Sequence, residues 1–301
     1  AVTLDLSNWR AAGIGGDMVR ADVLKQFSDT LSISGFDQNA FMPSYGMAES
    51  TLAVSFSDVS QPIRIDTIDK LTFKLSGRAV PALETQDKEA VRSFVVCGKP
   101  LPGHEMVVRD EMGSALQDRE IGHIFVRGPS LMSGYYHNSA ATDAVIAADG
   151  YLATGDMGYM LDGEIVITGR AKDLILHNGR NIWPQDIEWA AEQVEPLKSG
   201  DVAAFAVEGE DGDDDVVVLV QCRATSAAEI EKLRREVSAV VHHSAGVECA
   251  VVLVPPKSLP FTSSGKLSRA GAKQKYVSGG FVEIAARDLL AHAPEFLAAA
   301  Q

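Results

Sequence analysis

The chain has 301 residues, with 27 Lys and Arg against 41 Asp and Glu, a formal net charge of −14, and 46% hydrophobic residues. That length supports one large domain or two ordinary ones with real cores, and the acidity argues against a nucleic-acid or anionic-membrane partner. No apolar run approaches bilayer length and the start lacks the basic-then-apolar pattern of a secretion signal, so a cytoplasmic protein without stable membrane insertion is expected. Cys97, Cys222 and Cys249 are isolated, which favours buried small hydrophobes over a disulfide framework or zinc ribbon. The chain opens Ala1-Val2-Thr3-Leu4-Asp5 and runs at once into a patterned segment, as expected of a fragment.

Val19, Val23, Phe27 and Leu31 recur at four-residue spacing after Gly15-Gly16-Asp17, which predicts an amphipathic helix leaving a glycine turn, the rhythm of an α/β layer. From 57 to 92 the pattern weakens among Gly77, Pro81 and Asp87, and an insertion or long surface excursion is expected. Short β-rich runs at 105–109, 121–127 and 164–168 then predict a small antiparallel sheet or barrel within 93–168. Pro184 is placed to open a helix with Ile187, Ala190, Ala191 and Val194 on one side. Two continuous apolar strands are predicted at 202–207 and 216–222, joined by an acidic loop in which six of the eight residues 208–215 are Asp or Glu. Ser226 and Glu229 have the spacing of a capping box, heading a helix with Ile230, Leu233, Val237, Val240 and Val241 on one face, and a strand at 249–254 is stopped by Pro255-Pro256. The change of character places a domain boundary at 170–173, with a compact α+β unit of 171–301 after it.

Four segments are costly to explain by folding alone. In Tyr45-Gly46-Met47-Ala48-Glu49, an aromatic ring, a glycine and a carboxylate suit a purine, close backbone approach and a cation on phosphate; a packed turn tyrosine is the plain alternative. In Thr154-Gly155-Asp156-Met157-Gly158, the carboxylate suits the two hydroxyls of a ribose, or is a β-turn aspartate. The charged stretch from Gly169-Arg170-Ala171-Lys172-Asp173 through Asn178-Gly179-Arg180 reads as a hinge or as an ordinary linker. In Thr262-Ser263-Ser264-Gly265-Lys266, a lysine on a small flexible loop can neutralise charge on phosphate or carboxylate oxygens, though the spacing is not that of a Walker loop.

The order of these four segments resembles the adenylate-forming superfamily of acyl-CoA synthetases, adenylation domains and luciferases, and the chain is similar to the C-terminal portion of such an enzyme. Gly179-Arg180-Asn181-Ile182-Trp183-Pro184-Gln185-Asp186-Ile187-Glu188, Tyr45-Gly46-Met47-Ala48-Glu49 and Gly77-Arg78-Ala79-Val80-Pro81 resemble the fatty-acyl-AMP ligase branch. The resemblance implies an α/β fold: over 1–170, the end of a large multi-layer domain, with part of a doubly wound sheet, a β-barrel-like subdomain and a branch-specific insertion at 57–92, and then a mobile small domain. It implies ATP and Mg2+ as cofactors. Tyr45 would stack on the adenine beside Gly46, Glu49 would contact the magnesium of ATP, and Asp156 would bind the ribose hydroxyls with Arg170 assisting. Lys172 would be the hinge, and Lys266 would bridge the fatty carboxylate and the α-phosphate.

The implied activity is conversion of a fatty acid to acyl-AMP with release of pyrophosphate, then acyl transfer to an acyl carrier protein or a polyketide synthase carrier domain. An acyl-CoA synthetase and a non-catalytic nucleotide- or partner-binding module are the alternatives. Two departures stand out: Ala48 replaces the threonine many relatives carry before the glutamate, and Trp183 stands where tyrosine is commoner. The family's phosphate loop lies upstream of these segments, so the chain alone is expected to be inactive. Adjacent His242 and His243 point about 100° apart on a helix and make a poor metal pair. Arg269, Lys273 and Lys275 form a basic strip, read as a solvated face or as a docking surface for an acidic carrier protein.

Overall fold

Short apolar runs punctuated by glycine, proline and aspartate give many brief strands, and the chain folds as mixed α/β with several sheets. The computed structural model describes residues 4–59, 61–177, 180–209 and 214–284. Asn178, Gly179, residues 210–213 of the acidic loop and the first three residues therefore lie outside it. The chain divides into two units, Ala1–Lys172 and Asp173–Gln301, each described by itself.

In the first unit, β1 (Ala12–Ile14), α1 (Ala21–Leu31) and β2 (Phe41–Tyr45) form a parallel strand–helix–strand unit, Ala12 lying opposite Phe41. The predicted helix is present, but its register differs. Leu24 is its buried residue, whereas Val23 and Phe27 stay partly exposed, Phe27 packing edge-on against Trp9 and Phe36. β3 (Ser55–Phe56) continues the sheet antiparallel to β2.

The 57–92 segment is not a surface excursion. It carries β4 (Ile65–Asp69) and α2 (Lys70–Ser76), and β4 pairs antiparallel with β5 (Val91–Val95) over five residues. Asp69 caps α2 by accepting from the Thr72 amide at 2.7 Å. Ile68, Phe73 and Ala79 are buried, and Asp66 accepts from the Tyr159 hydroxyl at 2.6 Å and from both Arg119 nitrogens at 3.0 Å. One buried residue on a seven-residue helix is too weak a periodic signal to read locally, which is why the pattern looked irregular.

β6 (Lys99–Pro100) closes the first sheet against β3. β7 (Glu105–Arg109), β8 (Gly122–Arg127), β9 (Leu152–Leu161) and β10 (Glu164–Arg170) then form an antiparallel sheet in the order β10-β9-β8-β7, with α3 (Ser139–Val145) between β8 and β9. The expected antiparallel sheet is present; among the described residues no pairing of β7 with β10 closes it into a barrel. Val108, Ile124, Val126, Leu152 and Ile165 make its core together with Tyr45 and Val54.

The second unit begins with the small hairpin β11 (Ile175–His177) and β12 (Arg180–Ile182), followed by α4 (Pro184–Ala191), which Pro184 opens at its first turn. β13 (Val202–Glu208) and β14 (Asp214–Gln221) pair antiparallel, and α5 (Ala227–Ala245) crosses over to β15 (Ala250–Val254), which lies parallel to β14. The capping box forms, the Glu229 amide donating to Ser226 Oγ at 3.3 Å and the Ser226 amide to Glu229 Oε2 at 3.2 Å. Both sheet faces are covered, which is why the strands read as unbroken apolar runs. Ala204, Val216, Val218 and Val220 pack with α4 and α5 residues, while Ala203, Phe205, Val217 and Leu219 pack with Ala272 of α6 (Arg269–Val277).

Candidate active site

The first signature segment leaves the core at the end of β2. Tyr45 is 7% exposed, and Gly46 is required because a Cβ there would sit 2.0 Å from the Leu52 carbonyl oxygen. Ala48–Ser50 then makes a short 3-10 turn that presents Glu49. Next comes Thr51, at φ 71 and ψ −54, with the Leu52 amide donating to the Ser50 carbonyl at 2.9 Å. This is a γ-turn of the strained hand, unusual for a β-branched residue and worth roughly 1–3 kcal/mol of backbone strain. Three cross-links from 130–135 hold the segment in place. The Met132 amide donates to the Glu49 carbonyl at 2.7 Å, Thr51 Oγ1 donates to the Ser130 carbonyl at 3.1 Å, and the Tyr135 hydroxyl donates to Glu49 Oε1 at 2.8 Å.

Asp156 is not on a tight turn but within the ten-residue strand β9, opposite Arg170 of β10. Its amide donates to Thr154 Oγ1 at 3.1 Å, and that hydroxyl donates to the Ile124 carbonyl at 2.9 Å. The Tyr45 hydroxyl, 111 residues away in sequence, donates to Asp156 Oδ2 at 2.7 Å, and Arg170 Nε lies 3.5 Å from Oδ1. Burial first, and then the Asp156 charge, push the Tyr45 hydroxyl well above the ordinary phenol range, so it stays a proton donor. A carboxylate held by a hydroxyl at one oxygen and a guanidinium near the other is a group that can accept from a ligand's paired hydroxyls.

Tyr45, Asp156 and Arg170 are thus brought together, Glu49 follows four residues after Tyr45, and Lys172 is exposed in the short turn Ala171–Asp173 that ends the first unit. Lys266 belongs to the second unit. Its loop is a hydrogen-bonded turn rather than a slack one. Phe261 bridges Leu267, the Thr262 amide donates to the Lys266 carbonyl at 2.8 Å, the Gly265 amide returns to the Thr262 carbonyl at 2.9 Å, and Gly265 adopts φ 80. The lysine side chain is exposed.

Arg269 leaves the predicted basic strip. It begins α6 and turns inward, giving Nε and an η nitrogen to the two Glu188 oxygens at 2.7 and 2.6 Å and its other η nitrogen to Asp173 at 3.2 Å. Burial pushes the Glu188 carboxyl upward; Arg269 and the Ala204 amide, which donates to Oε1 at 3.0 Å, pull the other way. His242 pairs with Glu248 at 2.9 Å, and among the described residues no group of three or more His, Cys, Asp or Glu side chains could hold a metal ion. A magnesium ion carried on nucleotide phosphates needs only one or two protein carboxylates, so the single Glu49 fits such an ion. Tyr135 lies outside the four signature segments, and Thr154 lies inside the second without an assigned role; the Gly134-Tyr135 pair is a local hint of the first.

A family model described as AMP-binding enzyme matches residues 2–136, and one described as AMP-binding enzyme C-terminal domain matches 179–272. The chain belongs to this AMP-binding, adenylate-forming enzyme family. Among its relatives, a Caulobacter vibrioides protein provisionally named an acyl-CoA synthetase is 49% identical over 92% of this chain and 48% of its own length. JamA of Moorena producens, a medium-chain-fatty-acid–[acyl-carrier-protein] ligase, is 33% identical over 92% of this chain and 48% of its own. A solved structure from a study of fatty acyl-adenylate ligases of E. coli and L. pneumophila superposes with a TM-score of 0.84 at 44% identity, covering 92% of this chain and 48% of that one. The chain spans about half the length of the curated relatives it matches. No helix among the described residues is long and apolar enough to cross a membrane.

Proposed function

We propose that the chain supplies the ribose-binding and lysine-bearing parts of a longer enzyme that activates a fatty acid as acyl-AMP and passes the acyl group to an acyl carrier protein. The observation that carries this reading is the Tyr45–Asp156–Arg170 constellation, assembled from segments 111 residues apart. In the proposed reaction a fatty carboxylate oxygen bonds to the α-phosphorus of ATP while the α–β bridging bond breaks and pyrophosphate leaves. Negative charge accumulates on the phosphate oxygens, and the Lys266 ammonium would oppose it. A magnesium ion, held by Glu49 and arriving on the nucleotide, would supply further neutralisation when bound. Asp156 would accept from the ribose hydroxyls, with Arg170 beside it. Tyr45 is 7% exposed, which leaves little ring face for adenine, so we assign its contribution to the hydroxyl that sets Asp156.

Lys172 ends the first unit, and we propose it as the hinge residue of a boundary at 170–173. The similarity to JamA and to the fatty acyl-adenylate ligase structure supports the fatty-acyl-AMP and carrier-protein reading. The name of the Caulobacter relative favours CoA as acceptor instead, and offering both thiols to the complete enzyme separates the two. In that enzyme Asp156→Ala is expected to raise the Kd for ATP about tenfold or more, through loss of charge-assisted hydrogen bonds of about 1.5–3 kcal/mol. Isothermal titration without fatty acid checks this, and an unchanged Kd would remove the ribose assignment.

A further inference from the structure

Glu49 is the one side chain of the first signature segment proposed to meet a metal, and it is not presented alone. Residues 130–135 are laid across it. The Met132 amide fixes its carbonyl at 2.7 Å, and the Tyr135 hydroxyl donates to Oε1 at 2.8 Å across 86 residues of sequence. Tyr135 is itself held from behind. Its amide donates to Thr142 Oγ1 at 2.9 Å, and its carbonyl accepts from the Asn138 amide at 3.2 Å. Asn138 caps α3 through the Ala141 amide at 3.0 Å. The preceding Gly134 lies at φ 154, where an added Cβ would stand 3.0 Å from Thr142. Tyr135 is 37% exposed, so this is a partly solvated residue anchored to the start of a helix, not a core packing residue.

A carboxylate on a long side chain samples many rotamers, and a second-sphere donor that fixes one oxygen reduces the ordering cost of metal contact at the other.

We infer that Tyr135 is a positioning residue for metal binding: its hydroxyl holds Glu49 Oε1 and leaves Oε2 turned to the cation carried by the nucleotide. The inference rests on the proposed metal role of Glu49. The test uses Tyr135→Phe and Glu49→Gln in the complete enzyme, with Mn2+ as the probe. Free Mn2+ is titrated by its electron paramagnetic resonance signal in the presence of ATP and without fatty acid, and the Mg2+ dependence of pyrophosphate release is measured alongside.

Tyr135→Phe is expected to raise the Mn2+ dissociation constant and the half-saturating Mg2+ about threefold to tenfold, the worth of one hydrogen bond. The rate at saturating metal should stay within about twofold, and the thermal midpoint should be unchanged, because the ring is retained. A merely structural role would lower stability without separating metal affinity from rate. Unchanged metal affinity in Tyr135→Phe, with weakened affinity in Glu49→Gln, overturns the inference and leaves the Glu49 reading standing. Unchanged affinity in Glu49→Gln overturns both.

Discussion

Replacing Lys266 by alanine in the complete enzyme is expected to cut the rate of pyrophosphate release from ATP and fatty acid by about 10²–10³, equivalent to roughly 2.7–4 kcal/mol of lost transition-state stabilisation. The lysine side chain is exposed on the closing side of a hydrogen-bonded turn between Phe261 and Leu267, so its removal disturbs no packing, and stability should change by less than about 0.5 kcal/mol. The loss should therefore fall on the rate constant at saturating substrates while the ATP Kd moves little, because an ammonium that meets charge developing in the transition state contributes least to ground-state binding. Lys266→Arg should recover only part of the rate, since a planar fork does not reproduce a compact point charge. Pyrophosphate release within about twofold of the parent would show that the lysine is a surface residue.

Glu188→Ala is expected to destabilise the second unit by about 3–5 kcal/mol, the cost of removing one partner from a buried ion pair. The side chains concerned are enclosed, Glu188 at 5% and Arg269 at 17% exposure, and the pairing is a two-pronged one at 2.6 and 2.7 Å. Burial works against the Arg269 charge, yet Glu188 and Asp173 outweigh it and hold its pKa above the usual guanidinium value. Alanine at 188 would leave that cation with Asp173 alone and strip the Ala204 amide of its acceptor. Because Arg269 follows Lys266 by three residues, loosening this network should also free the lysine turn, and amide exchange at 262–268 should quicken along with the fall in the urea midpoint. A double replacement, Glu188→Leu with Arg269→Met, should regain only part of the stability, because it removes the uncompensated cation but leaves Asp173 and the Ala204 amide without their partners. A loss below about 1 kcal/mol for Glu188→Ala would contradict the account of this cluster.

The features most legible in the sequence were those with local causes. The Ser226–Glu229 capping box, the proline at the start of α4 and the apolar runs of β13 and β14 each follow from spacing or from burial on both faces, and each forms as expected. Where glycine has two uses, spacing leaves two readings open. Gly155 and Gly158 around Asp156 are compatible with the β-turn alternative, but they lie in a strand, and a Cβ on Gly158 would stand 2.1 Å from the Val166 carbonyl oxygen, so this glycine admits a close neighbour rather than a bend. Arg269 looked like one member of a basic strip because its partners are 81 and 96 residues away. The Tyr45–Asp156 hydrogen bond and the Tyr135–Glu49 bond likewise join distant segments. No local pattern announces them; the order of the motifs associates Tyr45 and Asp156 with one nucleotide but foretells neither bond.

The most direct measurement follows isotope from labelled pyrophosphate into ATP with the complete enzyme, with and without a fatty acid, and identifies the bound product by mass spectrometry. The account predicts exchange that requires the fatty acid and an acyl adenylate that forms before any thiol acceptor is added. Release of ADP and phosphate, or exchange indifferent to the fatty acid, would contradict it.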